Sequence, residues 1–329
     1  YHRCLIVHES YDKTAAVVVL PSIRTARLRD SSLRAWLAKS NLHQAPEPLD
    51  LLRRIASAVK IRYPKEGHAA LRMWGQTGDR PAAWIAAADP VYLEPRRDQL
   101  CLHALPSSSV PPEDLKGLIE HLQNTLADDR RFGFARIGDC GYISADEPFA
   151  TAAVTSTAVD QQSPAQFMPT GEGTASYRNL LSEIEMALHD HDINQRRIAA
   201  GQRPINSLWL WGGGAAPSHS QQSLPLLIAN DPLLLGYWES AAGDTARWPG
   251  TIQGCLDTSS EGFVAVAPQR HNDGEFLEEC LRALRAALRA RRLSSLVLLF
   301  RDGVSAKVTR SHALKFWRRD ASLLHEALS

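Results

Sequence analysis

The chain has 329 residues, 44% hydrophobic and 22% charged, with a formal net charge of +1. That length buries a substantial core, in one large or two coupled domains. The near-neutral charge removes the general electrostatic reason to expect nucleic acid or an anionic membrane as partner. Five cysteines (Cys4, Cys101, Cys140, Cys255, Cys280) are scattered without a C-x-x-C pair. This is the pattern of reduced thiols in a cytosolic protein, not of a disulfide frame or a zinc site. No apolar run approaches the roughly 18–20 residues of a membrane helix. The first residues lack the features of a signal peptide, so a cytoplasmic location is expected.

Residues 1–15 read as a polar extension. Ala16–Pro21 reads as a strand ended by proline, and Ser31–Lys39 and Leu49–Val59 have helical apolar spacing. Trp84–Ala88, Tyr92–Glu94 and Leu100–His103 read as short strands, the first two separated by Asp89-Pro90. Pro111-Pro112-Glu113-Asp114 opens a helix through about Leu126, with prolines and acids where free N–H groups and the dipole favour them. Phe132–Ile137 and Gly141–Ser144 pair across Gly138-Asp139. The small-residue and polar stretch Ala150–Gly173 is the best linker candidate. Ser176–His191 is an amphipathic helix, and Asp192–Arg203 is a polar connection to a strand. Phe263–Ala267 is a buried strand and Glu275–Arg292 a long helix, acidic first and basic last. Ser295–Phe300 and Val304–Thr309 form a hairpin around Arg301-Asp302-Gly303. Together these predict an α/β fold with a mixed, mainly parallel sheet flanked by helices, carrying antiparallel hairpins. The expected division is an extension (1–15), an N-terminal α/β lobe (16–160) and a C-terminal α/β lobe (161–329).

The strand after the polar connection, Ser207-Leu208-Trp209-Leu210-Trp211-Gly212-Gly213-Gly214, is the most distinctive segment. Its alternation puts Trp209 and Trp211 on one face and the leucines on the other. Gly212, Gly213 and Gly214 either form a phosphate nest of converging N–H groups or make a tight strand exit beneath the tryptophans. Neither a Walker loop nor G-x-G-x-x-G is present. Asn194, Arg197 and Asn206 either clamp an anion beside the glycines or tie down the connecting loop, the second reading being favoured. His189 and His191 lie two apart on a helix and point in different directions, and His-Glu-x-x-His is absent. His271-Asn272-Asp273 follows a strand end, where α/β proteins place functional groups, yet reads first as a polar loop. His219, Asp231 and Asp257 are its possible spatial neighbours. Cys140 sits in a turn with no nearby base. Lys315-Phe316-Trp317-Arg318-Arg319 mixes cations and aromatics, which favours docking of a terminal segment over base stacking.

The span from Ser182-Glu183-Ile184-Glu185 through Asn194, Arg197, Gly201 and Pro204-Ile205-Asn206 to Trp-Leu-Trp-Gly-Gly-Gly resembles the central signature of RpfE-type regulatory proteins of proteobacteria. Ala88-Asp89-Pro90-Val91-Tyr92-Leu93 resembles a second family segment, with Tyr92 where histidine is usual. Leu314–Arg319 resembles the closing motif, and the similarity covers about residues 16–320. That family is related to archaeal-type cofactor-independent phosphoglycerate mutases. The relationship implies an alkaline-phosphatase-like core, a Ser or Thr nucleophile and two divalent metals held by Asp and His. This chain departs from that pattern. Leu20-Pro21-Ser22 stands where an Asp-Gly metal motif follows the first strand. Ala267-Pro268-Gln269-Arg270-His271 puts Gln269 and Arg270 where a carboxylate is implied.

Three readings follow. In the leading one the chain is a catalytically degenerate, mutase-like protein with a regulatory or small-anion-binding role. It has no catalytic residue, no metal and no cofactor, and its ligand is a small phosphorylated or carboxylated metabolite bound near Asn194, Arg197, Asn206, Trp209, Trp211 and the three glycines. In the second it is an active metal-dependent mutase or phosphatase, with divalent ions held by Asp231, Asp257, His271 and Asp273. In the third it is a protein-interaction module that presents Phe316 and Trp317 to a protein partner.

Overall fold

A computed structural model of the chain describes residues 15–46, 49–127, 132–259, 261–269 and 274–310. Along the chain these form β1 (Ala15–Leu20), α1 (Ile23–Ala26), α2 (Ser31–Ala38), β2 (Asn41–Gln44), α3 (Leu51–Val59), α4 (His68–Thr77), β3 (Trp84–Pro95) and β4 (Leu100–Ala104). Then come α5 (Pro112–Thr125), β5 (Phe132–Ile137), β6 (Cys140–Ala145), α6 (Thr174–His189), α7 (Asp192–Ala199) and β7 (Ser207–Gly214). The remainder is β8 (Leu226–Ile228), α8 (Pro232–Ser240), β9 (Thr245–Ala246), α9 (Ile252–Thr258), β10 (Phe263–Val266), α10 (Gly274–Arg289), β11 (Ser295–Phe300) and β12 (Val304–Thr309). Two compact units result. Unit 1 gathers 1–63, 221–231 and 241–329; unit 2 gathers 64–220 and 232–240.

Unit 1 is built on a seven-stranded sheet of order β2-β12-β11-β1-β10-β8-β9. Strands β11, β1, β10, β8 and β9 run parallel, and β12 and β2 add an antiparallel edge. All six residues of β1 are buried, as a central strand covered on both faces requires. On one face, Leu277, Leu281, Leu284 and Leu288 of α10 pack with Val18, Leu20, Phe263 and Leu298. Their three-and-four spacing is what makes α10 a helix here, each buried leucine contributing roughly 1.5–3 kcal/mol. The β11–β12 hairpin turns at Gly303, whose φ of 88° is open to glycine at little cost.

Unit 2 is built on a five-stranded antiparallel sheet of order β4-β3-β6-β5, with β7 on the other side of β3. Helices α5 and α6 bury Leu115, Leu118, Leu122, Leu180, Ile184 and Leu188 in a core shared with Leu208 and Leu210 of β7. Helix α4 packs on α8 through glycines: a Cβ at Gly236 would sit 1.8 Å from the Leu71 carbonyl oxygen, and one at Gly75 2.0 Å from that of Pro232.

Several sequence expectations change. Asp89-Pro90 does not divide a strand: β3 runs unbroken through it. Pro90 accepts from the Leu105 N–H, so its ring replaces an N–H on that same side. There β6 has already ended its pairing at Ala87 and the regular β4 ladder stops at Val91, so the proline forfeits only the reciprocal bond to Leu105. Asp192–Arg203 is not all connection, since α7 occupies its first half. The stretch 150–173 lies within unit 2 and contributes buried Ala152, Ser156 and Val159, so it does not separate the two units. The units also do not follow one cut near residue 160. The central strand β1 takes both its neighbours from the last quarter of the chain.

Candidate functional site

The residues singled out around the tryptophan strand are brought together in unit 2, and their polar atoms are engaged there. Asn194, 1% exposed, donates to the Leu188 and Ile205 carbonyls and accepts from the Ile205 N–H at 2.8–2.9 Å. Arg197 donates to the Arg203 and Ser109 carbonyls and pairs with Asp114 at 3.3 Å. Asn206 extends the ladder beyond β7, accepting from the Leu93 N–H at 2.7 Å and donating to its carbonyl at 2.9 Å. Trp209 Nε1 donates to the Val154 carbonyl, and Trp211 Nε1 to Asp89 at 2.7 Å. The glycine N–H groups are also committed, Gly212 to the Ala152 carbonyl and Gly213 to Thr151 Oγ1. Gly214 approaches Gly67 so closely that a Cβ would sit 2.5 Å from its nitrogen. The Gly212 and Gly213 N–H groups therefore face protein acceptors at a close backbone approach.

Asp89, which carries the tryptophan bond, also accepts from Ser156 Oγ at 2.9 Å and pairs with buried Arg72 at 2.6 Å. Arg72 continues to the Tyr142 hydroxyl and the Gly141 carbonyl. Such a satisfied buried network specifies one arrangement of β3, β7 and α4. Burial pushes the Cys140 thiol up to about 11, against the nearby Arg72 cation. His191 caps α7 through Nδ1, and His219 stands edge-on to Trp74.

In unit 1 a second set of polar groups gathers at the carboxyl ends of the parallel strands, where open α/β sheets place ligands. Ser22 follows β1, Asn230 and Asp231 follow β8, Gln269 follows β10, and Arg301 and Asp302 follow β11. Ser22 Oγ donates to Asp302 Oδ2 at 3.0 Å, and the Arg24 N–H donates to the same oxygen. Arg301 Nη2 donates to the Ala267 carbonyl at 2.9 Å, and Arg54 donates to the Phe300 and Val304 carbonyls. Burial lowers the pKa of Arg301, against the nearby Asp231 charge; burial also lowers that of Arg54, against Asp302. Both nonetheless start from a value so high that they remain cations. Arg301 Nε and Asp302 Oδ1 are buried with no hydrogen-bond partner among the described residues. In the sequence Arg301-Asp302 reads only as a hairpin turn, and Ser22 only as part of the segment standing in place of a metal motif. Their position immediately beyond parallel strands was the available signal.

At this rim, among the described residues, no three His, Cys, Asp or Glu ligand atoms converge, and the Arg54 and Arg301 guanidinium groups are held on strand-end carbonyls. Asp257 is paired with Arg292 beside the start of β10, the opposite end of the sheet from Asp231. Those two acids therefore do not converge. Arg270, His271 and Asp273 lie outside the described residues, as do Lys315–Arg319. A converging donor set among the described residues is instead Glu94, Cys101 and His103 in unit 2.

No protein-family model matches the chain. Its relatives in sequence are cofactor-independent phosphoglycerate mutases. A probable 2,3-bisphosphoglycerate-independent phosphoglycerate mutase of Geobacter sulfurreducens is 28% identical over 192 residues, 54% of this chain and 46% of that protein. A 2,3-bisphosphoglycerate-independent phosphoglycerate mutase of Methanosarcina barkeri is 31% identical over 107 residues, 31% of this chain and 27% of that protein. The chain thus matches less than half the length of these relatives. Among solved structures, the cofactor-independent phosphoglycerate mutase of Thermoplasma acidophilum aligns over 90% of both chains at 17% identity, with a TM-score of 0.42. Likeness of that degree decides nothing about the reaction.

Proposed function

We propose that this chain is a phosphoglycerate-mutase-like protein with a regulatory role. In this reading it binds a small phosphorylated or carboxylated metabolite at the carboxyl rim of the parallel sheet in unit 1. The supporting observation is Arg301. Its Nη2 is anchored on the Ala267 carbonyl, which fixes the guanidinium fork, and its Nε lacks an acceptor among the described residues. A buried donor left without a partner costs about 1–3 kcal/mol. An oxyanion admitted by a small side-chain shift removes that cost and gains a charge-assisted bond. Asp302 Oδ1, an unpartnered acceptor in the same turn, offers a place for a hydroxyl of the ligand. The absence of catalysis in this reading rests on the same rim. A two-metal phosphoryl-transfer site would need converging carboxylate and imidazole ligands, and among the described residues no three such ligand atoms converge there. Cytoplasmic residence belongs to the proposal through cysteines scattered in sequence without a C-x-x-C pair; no helix of the described residues is long and apolar enough to cross a membrane. A protein partner engaging Phe316 and Trp317 falls on residues outside the described ones.

One contact favours a second reading, an active phosphotransferase. The Ser22 hydroxyl donates to Asp302, the arrangement of a nucleophile beside a general base. Both readings are tested together. The purified chain is assayed with 3-phosphoglycerate and an aryl phosphate in the presence of Mg, Mn or Co, and its melting is followed with 3-phosphoglycerate and with inorganic phosphate. The regulatory reading expects no turnover and a rise in melting temperature that Arg301→Met removes. A ligand at a hundred times its Kd adds about 2.7 kcal/mol. Metal-dependent turnover abolished by Ser22→Ala overturns it in favour of the enzyme. No melting shift with either anion removes the ligand.

A further inference from the structure

Glu94 and Cys101 face each other across the β3–β4 ladder, and Tyr92 faces His103 in the next pair on the same side. This register puts a carboxylate, a thiol and an imidazole on one face of one hairpin. Their ligand atoms lie within 4.8 Å of one another, and His103 Nε2 already touches Glu94 Oε2 at 3.0 Å. Cys101 is 2% exposed and His103 6%, whereas the Glu94 side chain is 39% exposed. Two donors are therefore walled in, and the third opens to solvent. The strand that carries the buried pair is held firmly. Leu102 exchanges hydrogen bonds with Gln161 and Gln162, the Ala104 N–H donates to Asp160, and the Tyr92 ring stacks on His103 at 5.9 Å.

We propose that Glu94, Cys101 and His103 bind one divalent transition-metal ion of the zinc class, with the fourth position open to water on the Glu94 side. Sulfur, imidazole nitrogen and one carboxylate form a borderline-soft set that suits zinc and disfavours magnesium or calcium. With zinc–ligand bonds of about 2.0–2.3 Å, tetrahedral ligands sit roughly 3.3–3.8 Å apart, so the widest pair closes by up to about 1.0–1.5 Å and the Glu94–His103 pair, now at 3.0 Å, opens slightly. On binding, the Cys101 thiol gives its proton to solvent and ligates as thiolate. His103 ligates through an unprotonated Nε2, and Glu94 exchanges its contact with that nitrogen for the ion. Arg96, which sits on Glu94 Oε2 at 3.1 Å and is half exposed, gives way without leaving a buried charge. The site lies in unit 2 and is independent of the anion proposed for unit 1.

The full chain is loaded with zinc or with cobalt(II), dialysed, and measured for metal content, melting and absorption. One ion retained per chain is expected, with a metal-induced rise in melting temperature and a thiolate-to-cobalt charge-transfer band in the near ultraviolet. Cys101→Ser removes the band, and His103→Gln removes retention. Glu94→Gln, at a half-exposed position that tolerates the change, weakens binding by at least the tenfold or so that losing even an outer partner costs, and keeps the test decisive should the buried variants not fold. No retained ion in the unsubstituted chain, or retention with an unchanged thiolate band in Glu94→Gln and in whichever buried variant folds, overturns the proposal.

Discussion

Asn194 uses its whole amide inside unit 2, bonding the end of α6 to the segment that feeds β7. Asn194→Ala leaves the Ile205 N–H and two carbonyls buried without that partner, at about 1–3 kcal/mol for each group that water does not reach. A loss of about 3 kcal/mol is expected in urea unfolding, with the m-value unchanged. A loss within about 0.5 kcal/mol, the ordinary surface range, would contradict the structural role. The candidate residues were legible as a set because Asn194, Arg197 and Asn206 sit at short spacing before a strand. Their tasks were not legible, because the partners are remote: Asp114 is 83 residues from Arg197, and Leu93 is 113 from Asn206. The groups at the rim of unit 1 were hidden in a different way. Ser22 and Asp302 are 280 residues apart and meet only because β1 and β11 are parallel neighbours.

At the level of elements, the α4–α8 contact rests on two glycines rather than on apolar side chains. Gly236 lies against the Leu71 carbonyl and Gly75 against that of Pro232, so backbone meets backbone. Gly236→Ala must separate the helices, because the obstructing atom is backbone and cannot swing aside. Helix propensity alone would favour alanine by about 1 kcal/mol. Overpacking opposes it by about 1–3 kcal/mol or more, and here overpacking wins. The melting temperature is expected to fall, and a rise would show that the helices separate freely. Neither helix is among the elements expected from the sequence. By contrast β1, α10 and the β11–β12 hairpin announce themselves through period and turn chemistry, because each buries a simple apolar face. Helix α7 escapes that reading because two of its three buried residues, Asn194 and Arg197, are polar. Its inward face is made by hydrogen bonds, which hydrophobic periodicity does not register.

At the level of the whole molecule, chain order and compact units diverge. Strand β1 pairs with β10 on one side and β11 on the other, so the parallel sheet closes only when both ends of the chain are present. A fragment of residues 16–160 keeps β1 without either neighbour, and β3 without β7. It exposes a wholly buried apolar strand with two unpaired edges, a template for aggregation. Residues 64–240, by contrast, retain every strand of the antiparallel sheet, helices α4 to α8, and the core that α5 and α6 share with β7. The expectation is that 64–240 melts cooperatively by circular dichroism, and that 16–160 and 161–329 produced separately do not. Cooperative melting of 16–160 would mean that β1 finds other partners and that the division near residue 160 is the physical one. Failure of 64–240 to fold would mean that unit 2 depends on the rest of the chain, provided that replacing 221–231, the unit 1 segment carrying β8, with a polar linker does not restore folding. The contrast follows from topology: antiparallel neighbours can be supplied by a contiguous stretch, whereas parallel neighbours need long crossovers, and here the crossover encloses a second unit.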